Sequence, residues 1–91
     1  MARFLGAEAD DLVFVPNATA GVNTVLRSLP LDQGDELLVT NHEYNACRNA
    51  LEFVAERSGA RVIVVEIPFP LRNPAEVIEP VISRVTPRTR L

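Results

Sequence analysis

The chain contains no lysine: all nine of its basic residues are arginine. It therefore has no side-chain amine to condense with a carbonyl group, and no lysine of the kind a P-loop sets against nucleotide phosphates. Tryptophan is absent as well, and there is one tyrosine. A single cysteine excludes an internal disulfide framework and fits a reducing cytoplasm, the expected location. Glycine is scarce, with four residues in 91, and Gly21 alone lies near a strand-to-helix turn, so no glycine-rich dinucleotide fingerprint can be built. No apolar run approaches the ~20 residues that span a bilayer, and no basic start followed by a long apolar block is recognisable as a secretory signal. The arginines are scattered and the net charge is −3, so no basic stripe exists to meet nucleic acid. No catalytic residue and no metal site is expected within these residues.

What is present is ordinary globular material, 47% apolar and 23% charged, enough for one small domain. Strands are expected at 11–15, 36–40 and 61–67, the last carrying Val62, Ile63, Val64 and Val65 in succession, as suits a parallel strand covered on both faces. Helices alternate with them. The first, 19–28, has Val22, Val25, Leu26 and Leu29 at the spacing of one buried face, and Pro30 ends it. The second, 44–57, carries Cys47, Ala50, Leu51 and Val54 as its stripe and stops at Ser58-Gly59. The third starts with Asn73 as cap, Pro74 in the first helical position and Glu76 in the first turn, with Val77, Ile78, Val81, Ile82 and Val85 as its face. Pro80 falls inside it, where a kink is expected. Strand, helix, strand, helix, strand, helix means an α/β fold: three layers, with a parallel-type sheet between flanking helices.

Both ends read as cut. Residues 2–7 look like the tail of an earlier helix closed at Gly6, and 86–91 like a turn entering another strand. Ligands of such sheets bind beyond the carboxyl ends of the strands, where two segments stand out. Pro16-Asn17-Ala18-Thr19-Ala20 is a turn of small residues opening a helix, whose unpaired amides and dipole attract phosphate without a basic side chain. Asn41-His42-Glu43-Tyr44-Asn45 follows the second strand.

Phe14 to Asn23 together with Gly34 to Ala46 resembles the class V aminotransferase family, enzymes of fold-type I that use pyridoxal 5′-phosphate (PLP), with the epimerase-like branch the nearest. The resemblance covers nearly the whole chain but only about a quarter of such an enzyme. It implies that residues 1–91 are a fragment of the large domain, supplying the cofactor-phosphate and ring-stacking portion, and that the complete protein acts on an amino acid and forms a homodimer. Carried over residue by residue, the phosphate turn falls on Ala18 and Thr19, with Ala20 beside them, and the ring-stacking place falls on Tyr44. There the desulfurase branch has a histidine. A phenol can stack as an imidazole does but cannot exchange a proton near neutral pH in the same way, which points away from desulfuration. The family's aspartate for the pyridinium nitrogen, its anchoring lysine and the desulfurases' nucleophilic cysteine have no match here, and Cys47 is none of them.

Plainer readings stand beside these. Asn17 to Ala20 can serve as a helix cap, alone or together with phosphate; Tyr44 can be a first-turn aromatic packed on a neighbour; His42 is expected to be held by local hydrogen bonds, Cys47 to be a small core residue, Glu43 to help cap the second helix, and Arg88 and Arg90 to lie in solvent. A stand-alone, non-catalytic phosphate- or nucleotide-binding module and a functionless open reading frame are the alternatives. By the same resemblance, the strands at 36–40 and 61–67 should be neighbours, with 11–15 on the far side of a seven-stranded sheet.

Overall fold

Two five-residue runs rich in leucine and valine, Glu36–Thr40 (β1) and Arg61–Val65 (β2), pair in parallel in the computed structural model of the chain, which describes residues 1–91. Glu36 stands opposite Arg61 and Thr40 opposite Val65. The other edge of β1 is paired too. Glu36 N–H donates to the Arg88 carbonyl at 2.9 Å, Arg90 N–H to the Glu36 carbonyl at 2.9 Å, and Leu38 N–H to the Leu91 carbonyl at 2.8 Å. Residues 88–91 thus lie parallel to β1 along its second edge, with one bridge between Glu36 and Thr89, so β1 is bonded on both sides.

The helices are α1 (Ala2–Leu5), closed by Gly6 in the left-handed region at φ 67°, α2 (Ala18–Ser28), α3 (Asn45–Ser58) and α4 (Ala75–Ser83). Gly59 ends α3 at φ 77°, and a Cβ there would also come within 3.1 Å of Gln33, so the stop needs glycine on two counts. At the start of α4, Asn73 Oδ1 accepts from Ala75 N–H at 2.9 Å, and Glu76 reaches back to Arg72 N–H at 2.7 Å. The helix runs on through Pro80, but none of its residues is buried. The core is one cluster: Leu26 of α2, Leu37 and Val39 of β1, and Ala50, Leu51 and Ala55 of α3. Leu37 is wholly inaccessible.

The connection β1–α3–β2 moves to one side of β1, whereas β2–α4–(88–91) returns across it to the other. Right-handed crossovers that move to opposite sides of a strand place their helices on opposite faces of a sheet. In open parallel sheets, ligands settle beyond the carboxyl ends of the strands.

Two expectations are corrected. Residues 11–15 form no strand. Asp11 closes a 3₁₀ turn (Ala9–Asp11), Leu12 is extended at φ −107° and ψ 131°, and no ladder follows. Both edges of β1 are already taken and no other segment of the chain pairs with these residues, so Phe14 is left 94% exposed. The strand expected to run to Ile67 ends at Val65, because beyond it the Asn41 side chain takes over the ladder's hydrogen bonds.

Only nine of the 91 residues are buried, while Phe4, Val13, Phe14 and Phe69 face solvent. So much bare apolar surface, with unpaired strand backbone beside it, favours association. Expressed alone, the chain should aggregate or lack a cooperative unfolding step. Urea unfolding followed by near- and far-UV circular dichroism checks this, and a soluble monomer with one coincident transition would overturn it.

Candidate functional site

Helix α2 starts where its small residues let it. Asn17, extended at φ −165° and ψ 171°, accepts from Ala20 N–H through Oδ1 at 2.8 Å and, through its carbonyl, from Gly21 N–H at 3.2 Å. That leaves the amides of Ala18 and Thr19, and the Thr19 hydroxyl, without any partner in the chain. Three donors therefore point out of a helix N-terminus whose dipole favours an anion. The cap and the donors coexist because they use different amides. Of the three positions expected at the phosphate turn, Ala18 and Thr19 have donors to give, whereas the Ala20 amide is engaged by Asn17.

The second segment leaves β1 through a tightly bonded corner. Asn41 N–H donates to the Val65 carbonyl at 3.0 Å, its Oδ1 accepts from Ile67 N–H at 2.9 Å, and its Nδ2 donates to Glu66 Oε2 at 2.8 Å. His42 Nε2 donates to the Ile67 carbonyl at 2.9 Å, so it is held by a hydrogen bond as expected, but to a segment 25 residues away rather than locally. Glu43 turns back to accept from Tyr44 N–H at 2.9 Å, at the entry to α3. Tyr44 precedes α3 as its cap residue, and its carbonyl accepts from Cys47 and Arg48 N–H at 2.9 and 3.0 Å. Its phenol makes no hydrogen bond and its side is open: the residue is 67% exposed. Tyr44 is presented rather than packed.

The two segments meet across one cleft of about 440 Å³, where Gly21 and Val22 of α2 face Glu43 and Cys47 of the α3 start, with Leu38 and Val39 of β1 between them. Thr19 and Ala20 immediately precede one wall in the chain, and Tyr44 follows Glu43 of the other without lining the cleft itself, so both segments open at the carboxyl end of the sheet. Cys47 is a half-buried free thiol on this wall. No group of three or more His, Cys, Asp or Glu residues is placed to hold a metal. Arg88 and Arg90 are exposed, though Arg90 Nε lies 3.6 Å from Asp35. No helix is long and apolar enough to cross a membrane.

Sequence reasoning placed Asn41 in the loop but gave it no task. The available signal was local: an asparagine just past a strand's last ladder residue often bonds backbone in place of the ladder.

The sequence model of the aminotransferase class-V family matches residues 1–91. The isopenicillin N epimerase of Streptomyces clavuligerus is 35% identical over 91 residues, covering 100% of this chain and 23% of that protein. The isopenicillin N epimerase of Amycolatopsis lactamdurans is 38% identical over 94 residues, covering 100% of this chain and 24% of its own length. A solved structure of a C-DES lysine-to-alanine mutant, with glycine covalently linked to its PLP cofactor, superposes with a TM-score of 0.88 over 98% of this chain and 23% of that one, at 24% identity. The fold is thus that of fold-type I enzymes, and the chain spans about a quarter of the length of its relatives.

The cap itself is testable. In the full-length protein, Asn17→Ala should lower stability by about 1 kcal/mol, and Asn17→Asp by much less. A urea midpoint unchanged by Asn17→Ala would show that the Asn17–Ala20 bond contributes nothing.

Proposed function

The chain belongs to the class-V aminotransferase family, and on that footing we propose that it forms the cofactor-phosphate and ring-covering part of a PLP-dependent enzyme's large domain. Ala18 and Thr19 donate to the phosphate through their amides, and Thr19 also through its hydroxyl, with Ala20 beside them closing the turn. Tyr44 covers one face of the pyridine ring. The observation that carries this reading is the set of partnerless donors at the start of α2, at the same end of the sheet as an exposed, unpacked aromatic residue at the start of α3.

The residues present fit the group. A phosphate needs several donors converging on one point, and side chains small enough for the backbone to approach. Alanine at 18 and 20 meets the second need, and the Ala18 and Thr19 donors the first. An aromatic ring is best covered by another, offset or tilted, and Tyr44 has its side free to do so. Bound there, the cofactor supplies an electron sink for reactions at an amino acid. Residues 17–20 and 41–44 bind and orient it; none of them carries the reaction. With no lysine, the chain cannot anchor the cofactor covalently, so that residue comes from elsewhere in the protein.

The substrate of the complete protein is an amino acid, and its assembly a homodimer, as the resemblance implies. Epimerisation, transamination, desulfuration and lyase chemistry begin alike, and these residues do not choose among them. Tyrosine in place of the desulfurases' histidine favours a branch other than desulfuration.

Two measurements test the reading. In the full-length protein, Thr19→Ala should weaken PLP binding roughly tenfold or more, since a hydrogen bond to a charged group contributes about 1.5–3 kcal/mol, while Thr19→Ser should be near neutral. Tyr44→Ala should weaken binding and shift the cofactor's absorbance. Unchanged affinity in both alanine variants would remove the site. Separately, the 91-residue chain treated with PLP and borohydride should carry no stable pyridoxyl group on any internal residue by mass spectrometry.

A further inference from the structure

Tyr44 poses a mechanical problem. The residue is two-thirds exposed and its hydroxyl bonds to nothing in the chain, so no side-chain hydrogen bond aims it. Whatever direction the ring has, it inherits from the backbone. On the C-terminal side that backbone is gripped by α3, through the Tyr44 carbonyl. On the N-terminal side only two residues, His42 and Glu43, separate it from Asn41.

At Asn41 the corner is fixed by its side chain. Ile67 is the buried residue just beyond the β1–β2 ladder, with 6% exposure, and no strand backbone remains opposite to pair with it. Its N–H is satisfied by Asn41 Oδ1 and its carbonyl by His42 Nε2, the Asn41 Nδ2 approaching that carbonyl at 3.4 Å. The same Nδ2 takes the Glu66 carboxylate at 2.8 Å. Both polar ends of one carboxamide are thus used on a segment 25 and 26 residues away. The turn between is continuous, with Glu43 N–H donating to the Thr40 carbonyl at 3.2 Å and the Glu43 carboxylate returning to Tyr44 N–H.

We propose that Asn41 is a positioning residue: its carboxamide, clamped to Ile67 and Glu66, sets the place from which Tyr44 covers the ring of the bound cofactor. This rests on the reading of Tyr44 given above. Asn41 touches neither cofactor nor substrate; it acts only through Tyr44. His42 shares the clamp but holds only the Ile67 carbonyl, which Asn41 also approaches, whereas Ile67 N–H has Asn41 alone.

The test uses the full-length protein loaded with PLP, and reads the visible circular dichroism of the bound cofactor and its dissociation constant. Asn41→Ala should weaken PLP binding roughly fivefold, the scale of one lost hydrogen bond, and change the cofactor's dichroism in the same sense as Tyr44→Ala. The double variant of both alanines should match Tyr44→Ala alone, because a residue that acts through another adds nothing once that other is gone. Asn41→Asp sets a carboxylate against Glu66 and should behave like Asn41→Ala, while Asn41→Asp combined with Glu66→Gln restores a donor from the opposite side and should recover the wild-type signal. If Asn41→Ala does not fold, Glu66→Ala, which removes one bond at an exposed site, is read in its place with the same expectation. Losses that simply add in the double variant, or dichroism unmoved by Asn41→Ala or its substitute while Tyr44→Ala moves it, would overturn this proposal alone. Dichroism and affinity unmoved by Tyr44→Ala would overturn both the proposal and the reading beneath it.

Discussion

The rest of the structure hangs on the backbone of β1, which is hydrogen-bonded along both edges. Its first residue, Glu36, is an acid only 8% exposed, and it is bonded in both directions at once. Its Oε1 lies 3.2 Å from Arg61 Nη2 on the β2 side, and its Oε2 accepts from Thr86 Oγ1 at 2.6 Å on the other. A carboxylate out of water is costly unless each oxygen is partnered. Both partners are in place only when β2 and the 86–91 segment stand in their observed registers, since a slip of one residue sends each side chain to the opposite face. We therefore read Glu36 as fixing register more than adding stability. The apolar side of β1 follows from this: with Glu36 fixed, Leu37 and Val39 fall under α2 and α3, and the chain leaves the sheet at Asn41.

At that carboxyl end, the two walls of the cleft are built by different means. The α2 wall is a matter of unspent backbone. A helix start has more amides than one cap can satisfy, and Asn17 takes the third helical residue while leaving the first two. A capping residue and an anion site are therefore not rival explanations of Asn17 to Thr19; the cap fixes the helix end and leaves its first two amides unpartnered. The other wall is a matter of borrowed backbone. The ladder stops at Thr40 and Val65, and side chains of the departing loop then stand in for the missing strand.

These two means differ in how they appear in the sequence. A helix start is a local event, so Asn17, the small residues after it and the apolar spacing from Val22 place α2 within one residue of its observed start. Strand β1 and the glycine stop of α3 are local in the same sense. The Asn41 clamp joins residues 25 and 26 apart, and nothing near Asn41 names Ile67 as its partner. The failure at 11–15 has the opposite cause. Its composition is that of a strand, and the backbone at Leu12 is extended, but a strand is a relation between two segments and no segment of this chain pairs with it. Composition records the preference; only topology supplies the partner.

In the proposed reading, binding and chemistry are encoded in separate parts of the protein. Holding a phosphate and covering a ring need short segments at strand ends, where backbone donors and one exposed side chain suffice. Those needs are met within residues 17–20 and 41–44. The covalent anchor needs a lysine, and this chain has none. Tyrosine at the ring-covering place sharpens the division: an imidazole there could cover the ring and also carry a proton near neutral pH, whereas a phenol offers the first service without the second. Proton transfer to and from the amino acid then falls to residues beyond these two segments. The demand left on Tyr44 is geometric, which is why the placing of its backbone, and so the Asn41 clamp, matters more here than it would for a residue that took part in the reaction.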